Sequence, residues 1–128
     1  MKVLLDTHAL LWWLLGDPRL SKRALDMLAQ PGNSIAVSAA SGWEIATKFR
    51  LGKLAVPRPL AEDLESVANK NGWTMVPVTM RHAQRTGLLQ GNHKDPFDRM
   101  LAAQALMEDL PLVTNDPAFA GFTVQTWW

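Results

Sequence analysis

Five acidic residues stand where their type and spacing could do chemistry. Asp6 directly follows the apolar run KVLL, and Asp116, in LVTNDPAF, follows a second such run. Glu44 lies in SGWEIATKF, and Asp95 and Asp98 sit three residues apart in HKDPFDRMLAAQAL. Each also has an ordinary structural use. Asp6 and Asp116 can cap the turn or helix that follows, a position aspartate fills well. Glu44 can form a solvated i,i+4 ion pair with Lys48, worth only a few tenths of a kcal/mol. Asp95 precedes Pro96, a favoured first helical residue, and so reads as an N-cap. Asp98 would then fall in capping-box position. Leu101, Ala102 and Ala105 share its helical face, however, so Asp98 lies along an apolar stripe where an unpaired charge is costly.

Carboxylates that converge without matching cations repel one another. A hard divalent ion such as Mg²⁺ or Mn²⁺ relieves that repulsion and prefers oxygen ligands. Such an ion can activate water and stabilise charge on a phosphoryl group. If the acids converge, metal-assisted hydrolysis of a phosphoester is the chemistry this residue set suits.

Whether they converge depends on the elements that carry them. KVLLD, SIAVS (34–38), WTMVPV (73–78), LPLVTN (110–115) and FTVQTW (122–127) read as five short strands, apolar rather than alternating. Between them fall helical stretches: Thr7 to Leu15, a second capped by Ser21 through Gln30, and a third from Ala39 to Arg50. Further helices run from Pro59 to the KNG at 70–72, over TMRHAQRTGLL (79–89), and from Pro96 to about Glu108. Strands of this kind alternating with helices predict an α/β fold, a parallel sheet covered on both faces. In such sheets ligands gather beyond the carboxyl ends of the strands, where Asp6 and Asp116 stand.

The chain of 128 residues suits a single domain spanning 1–128, and a chain of that size buries roughly two-thirds of its unfolded surface. A net charge of +1 gives no overall basic field to announce nucleic acid, although a local patch can suffice. There is no cysteine, so disulfides and thiolate zinc sites are excluded, which suits a cytoplasmic protein. The opening MKVLLDTHALLWWLLG is interrupted by Asp6 and His8, and its apolar run is far shorter than the ~20 residues a membrane span requires. No Gly-rich phosphate loop, zinc spacing or internal repeat is present.

LLDTHALLWW, WEIATK, DPFDRMLAAQAL and LVTND resemble, in order and spacing, the four acidic blocks of the PIN-domain nucleases, and most closely the VapC-type toxins of bacterial toxin–antitoxin pairs. The resemblance spans almost the whole chain. It implies a PIN-like fold with a central parallel sheet of about five strands, and a Mg²⁺- or Mn²⁺-dependent ribonuclease acting on single-stranded RNA. It further implies metal-activated water as nucleophile, products with 5′-phosphate and 3′-hydroxyl ends, and neutralisation by a cognate antitoxin. Carried over by residue, the catalytic and metal-binding acids are Asp6, Glu44, Asp98 and Asp116. Thr114 matches a supporting hydroxyl, and Thr7 stands beside the first acid. Asp95, His93 and Arg99 match a subgroup pattern, and His8 stands where many members carry asparagine.

Two further features bear on partners. ALLWWLL has no polar face, so it is either deeply buried or a surface for a second copy or an antitoxin, and Trp127 and Trp128 pose the same question. Homodimerisation through it is expected. Lys48, Arg50 and Lys53, with Arg58 beyond, form a basic run beside Glu44 that can hold RNA phosphates, and Arg99 is a further candidate. Two alternatives to a nuclease stand. A haloacid-dehalogenase-like phosphatase also places an aspartate after its first strand, but needs a second two residues on, where His8 stands. A non-catalytic interaction module would have no need of all four acids.

Overall fold

Val3, Leu4 and Leu5 are completely buried, as expected of a strand with protein on both faces. They form β1 (Lys2–Leu5) in a computed structural model describing residues 1–128. With β2 (Ser34–Ser38), β3 (Thr74–Val76), β4 (Leu112–Val113) and β5 (Thr126–Trp127), β1 builds a five-stranded sheet in the order β3-β2-β1-β4-β5. Every pairing is parallel, with Leu4 opposite Ala36 on one side and Leu112 on the other. The expected α/β architecture is therefore present.

Alternation along β1 divides the core. Val3 and Leu5 face a cluster with Leu10 of α1 (Thr7–Leu15), Ala24 and Leu28 of α2 (Lys22–Ala29), and Ile45 of α3 (Ala39–Arg50). Leu60 of α4 (Arg58–Glu62) and Ala68 of α5 (Leu64–Lys70) complete that layer. Leu4 and Ala36 face the opposite cluster, with Leu101, Ala102 and Ala105 of α7 (Pro96–Met107). Phe119 and Phe122 of a 3-10 helix (Pro117–Phe122) close that side, and α6 (Met80–Leu88) packs on α7. From β1 the chain moves outward to β2 and β3, then crosses to β4 on the other side of β1. The strand order thus reverses between β1 and β4, the place where open parallel sheets leave a crevice.

Three expected boundaries are corrected. The helix expected from Pro59 to residue 70 is two helices, broken at Asp63, whose carboxylate caps α5 by accepting from the Ser66 N–H. The third strand ends at Val76 rather than Val78, because Pro77 offers no N–H to continue it. FTVQTW pairs only at Thr126–Trp127; its Phe122 belongs to the 3-10 helix and packs under the sheet.

The apolar first helix divides between the core and its margin. Ala9, Leu10 and Leu11 are core, whereas Trp12, Trp13 and Leu14 are half-buried at its margin. Trp13 stacks on Trp73 at 5.1 Å, and Trp12 meets Trp128 edge-on at 5.8 Å. Gly16 ends the helix at φ 65°, a left-handed position where a side chain would strain, and its N–H closes onto the last carbonyls of α1. No helix is long and apolar enough to cross a membrane.

Candidate active site

Asp6 leaves β1 at the crevice between β1 and β4. Its backbone N–H donates to the Val113 carbonyl (3.1 Å), and its Oδ1 accepts from the Ala9 N–H (2.6 Å). It is the N-cap of α1, as its position allows, but it is also 4% exposed, which a cap does not require. Burial pushes its pKa up to about 6, opposed by hydrogen bonds from Thr114 and Ala9 and by the nearby His8, and reinforced by Asp98. Thr114, buried at the end of β4, also accepts the Asp116 N–H on its Oγ1 (3.0 Å). Asp116 in turn caps the 3-10 helix through the Ala118 N–H (2.9 Å). Thr114 thus lies between the Asp6 carboxylate and the backbone of Asp116.

Glu44 departs from the solvated ion pair its spacing allows. It does pair with Lys48 through Oε2, but it is 3% exposed, and its Oε1 is buried without any hydrogen-bond partner. Thr7 and Ser41, both buried, share a hydrogen bond (3.0 Å) that ties α1 to α3 one turn before Glu44. Burial works against the Lys48 charge. The bond to Glu44 and the charges of Glu44, Asp95 and Asp98 outweigh it, so its pKa rises.

On α7, Asp95 and Asp98 separate as their surroundings predict. Asp95 Oδ1 accepts from the N–H groups of Phe97 (2.9 Å) and Asp98 (3.1 Å), a capping role. Asp98 makes no capping-box bond. Its Oδ2 accepts from His93 Nε2 (2.8 Å) in the loop before the helix. Burial raises the pKa of Asp98, the His93 bond opposes that, and the charges of Asp95 and Glu44 add to it.

Asp98 therefore lies within electrostatic reach of Asp6, Glu44, Asp95, Lys48 and His93. Asp116 adjoins them through Thr114. The side chains are not drawn together into a ready ligand set, since no three acidic or imidazole groups form one. Of the basic residues expected to hold phosphates, Arg50 and Lys53 are exposed. Lys48 is taken up by Glu44. Arg58 pairs with Glu62 (2.6 Å) and lies over the Phe49 ring.

The Arg99 guanidinium donates to the carbonyls of His93 (3.1 Å), Thr86 (3.0 Å) and Leu89 (2.6 Å), and so pins the loop that presents His93. Arg99→Met is expected to cost about 2 kcal/mol by leaving these carbonyls without their charged donor. Arg99→Lys should recover little of it, because an ammonium cannot reproduce the fork. Urea unfolding measures this; full stability with weakened RNA binding would restore the RNA-contact role. Neither His93 as partner of Asp98 nor Ser41 as anchor of α3 is evident from the residues alone. The signal available was position: Ser41 lies three residues before Glu44 on one helical face.

A parallel sheet in this order, with acids at the ends of β1 and β4 and on α3 and α7 across the crevice, defines the class. The pattern of the PIN domain matches residues 3–123, and the chain belongs to that family. It is similar to ribonuclease VapC22 of Mycobacterium tuberculosis (strain ATCC 25618 / H37Rv), 28% identical over 114 residues, which cover 89% of this chain and 86% of that protein. It also resembles ribonuclease VapC16 of the same organism, 39% identical over 70 residues. That match takes in 52% of this chain and 48% of VapC16, about half the length of that relative. The fold is shared with VapBC2 from Rickettsia felis, solved bound to a DNA fragment from their promoter, at a TM-score of 0.71 and 19% identity over 99% of this chain and 98% of that one.

Proposed function

We propose that this chain is a divalent-metal-dependent endoribonuclease of the VapC type, held in check by a cognate antitoxin in the cytoplasm. The observation that carries the reading is Glu44: a carboxylate 3% exposed, with one oxygen lacking any partner, beside two further acids whose pKa values burial has raised. A fold-stabilising glutamate would have both oxygens satisfied or solvated. Two such relatives bear the name ribonuclease, and the solved relative is a VapBC assembly.

Asp6, Glu44, Asp98 and Asp116 are the residues that would hold Mg²⁺ or Mn²⁺, an all-oxygen set that suits a hard cation. The ion would supply a more acidic water and stabilise charge on the phosphoryl oxygens. The chain does the positioning. Ala9 N–H fixes one oxygen of Asp6, and Thr114 lies against the same carboxylate. His93 holds Oδ2 of Asp98, and Lys48 balances Glu44 while bringing a positive charge to the site's rim. Arg50 and Lys53, exposed on and just beyond α3, extend that charge toward a phosphate backbone. Self-association through the half-buried Trp12, Trp13 and Leu14 and the exposed Leu15 is part of the same reading.

Purified protein incubated with mixed cellular RNA tests it. Cleavage is expected in Mg²⁺ or Mn²⁺ and none in excess chelator. Cleavage that survives chelation overturns the metal role; intact RNA under every divalent ion overturns the nuclease.

A further inference from the structure

Trp43 is 63% exposed, whereas Trp73 is 8% exposed and Trp12, Trp13, Trp127 and Trp128 are half-buried. An indole left in water gives up the burial that makes tryptophan useful to a fold. Its position is also specific. The Trp43 ring meets Phe97 at 4.8 Å and 76°, edge to face. Trp43 immediately precedes Glu44 on α3, and Phe97 immediately precedes Asp98 on α7. The two helices that carry Glu44 and Asp98 therefore bring this aromatic pair together at the positions directly before them.

Arg50 shares the helical face of Trp43, two turns on at i+7, about 10 Å along the axis. It too is exposed. An open aromatic surface followed by a cation along one groove is how proteins hold single-stranded nucleic acid: the ring takes a base and the cation a phosphate further along.

We propose that Trp43, braced by Phe97, is a stacking platform for an unpaired base next to the scissile phosphate, with Arg50 taking a phosphate further along the strand. The proposal rests on the ribonuclease reading and deepens it. A base within a duplex is already stacked on both sides and cannot use the platform without leaving its neighbours. Trp43 thus makes the site selective for single-stranded RNA without reading any base edge, since every base has a π-face.

Two measurements test it. In steady-state cleavage of a random-sequence single-stranded 12-nucleotide RNA, Trp43→Ala should raise KM by about 5- to 100-fold with kcat within about threefold, and Trp43→Phe should recover most of the loss. In excess chelator, where the RNA stays intact, titrating the same RNA into wild-type protein should quench tryptophan fluorescence. That quenching should disappear in Trp43→Phe, while Arg50→Ala should weaken binding and reduce its salt dependence. If wild type cleaves and Trp43→Ala keeps its KM, the platform is wrong and the nuclease stands. If Trp43→Ala instead lowers kcat alone, the ring merely positions Glu44, and the proposal fails. A change of oligomeric state in Trp43→Ala with unaltered RNA kinetics would assign the ring to a protein contact, which also overturns it. Absence of cleavage by wild type would be a failure of the underlying reading, seen before any variant is compared.

Discussion

Asp98→Asn is expected to lower RNA cleavage by about 10²–10³-fold, whereas Asp95→Asn should lower it by no more than about tenfold. The two aspartates share a helix and lie three residues apart, so the contrast isolates what each carboxylate does. Asp95 uses one oxygen to accept from the N–H groups of Phe97 and Asp98. Asparagine offers the same oxygen, and Asn and Asp cap about equally well. Asp98 caps nothing. Its single hydrogen bond comes from His93, which an amide oxygen can still accept, so Asp98→Asn keeps the geometry and removes only the charge. That charge is disfavoured in the folded protein, since burial and the neighbouring acids raise its pKa, so the substitution should not lower the melting temperature. Initial rates on labelled RNA in saturating Mg²⁺, with a thermal melt of each variant, provide the comparison. Equal losses in the two variants would return Asp98 to a capping role and remove it from the site.

This contrast was readable in the sequence, because it turned on local facts: Pro96 marks Asp95 as the cap, and the Leu101–Ala102–Ala105 stripe marks Asp98 as an acid lacking an obvious partner. The sheet was equally readable, since runs such as VLL and IAV cannot be half-solvated. Glu44 was different. Its burial comes from α3 packing against neighbours distant in the chain, and Lys48 one turn on allowed an innocent surface pair; only the resemblance singled it out. His93 and Arg99 show the same limit. A histidine in a loop and an arginine on a helix carry no local sign that one will hold Asp98 and the other three carbonyls. The strand ends were overrun where apolar residues serve the core from outside the ladder, as Phe122 does from a 3-10 helix. Asp63 was hidden by context, because an N-cap within a run of good helix formers reads as one more polar residue on a continuous helix.

Asp6→Asn is expected to stabilise the protein in chelator, by up to about 3 kcal/mol at neutral pH. The ordinary aspartate pKa of 3.8 is raised to about 6 in the folded protein, chiefly by burial. Below the lower value Asp6 is protonated in both states and costs the fold nothing. Between the two values the folded state binds the extra proton, so stability falls as pH rises. Above about 6 the carboxylate is ionised in both states, and the folded protein bears the whole cost of a buried charge facing Asp98. Asparagine keeps the cap to Ala9 and removes that charge. The gain of the variant over wild type should therefore be small near pH 4, grow toward pH 6 and level off above it, at roughly 3–5 °C in Tm per kcal/mol for a chain of this size. Mg²⁺ should reverse the order of benefit. An ion that binds the folded state stabilises it in proportion to its affinity, and wild type, with the extra anionic oxygen, should gain more than the variant. Thermal unfolding from pH 4 to pH 8, with chelator and with Mg²⁺, measures both effects. If Asp6→Asn melts lower than wild type at neutral pH in chelator and Mg²⁺ raises the two equally, Asp6 is a helix cap alone, and the crevice between β1 and β4 is not a metal site.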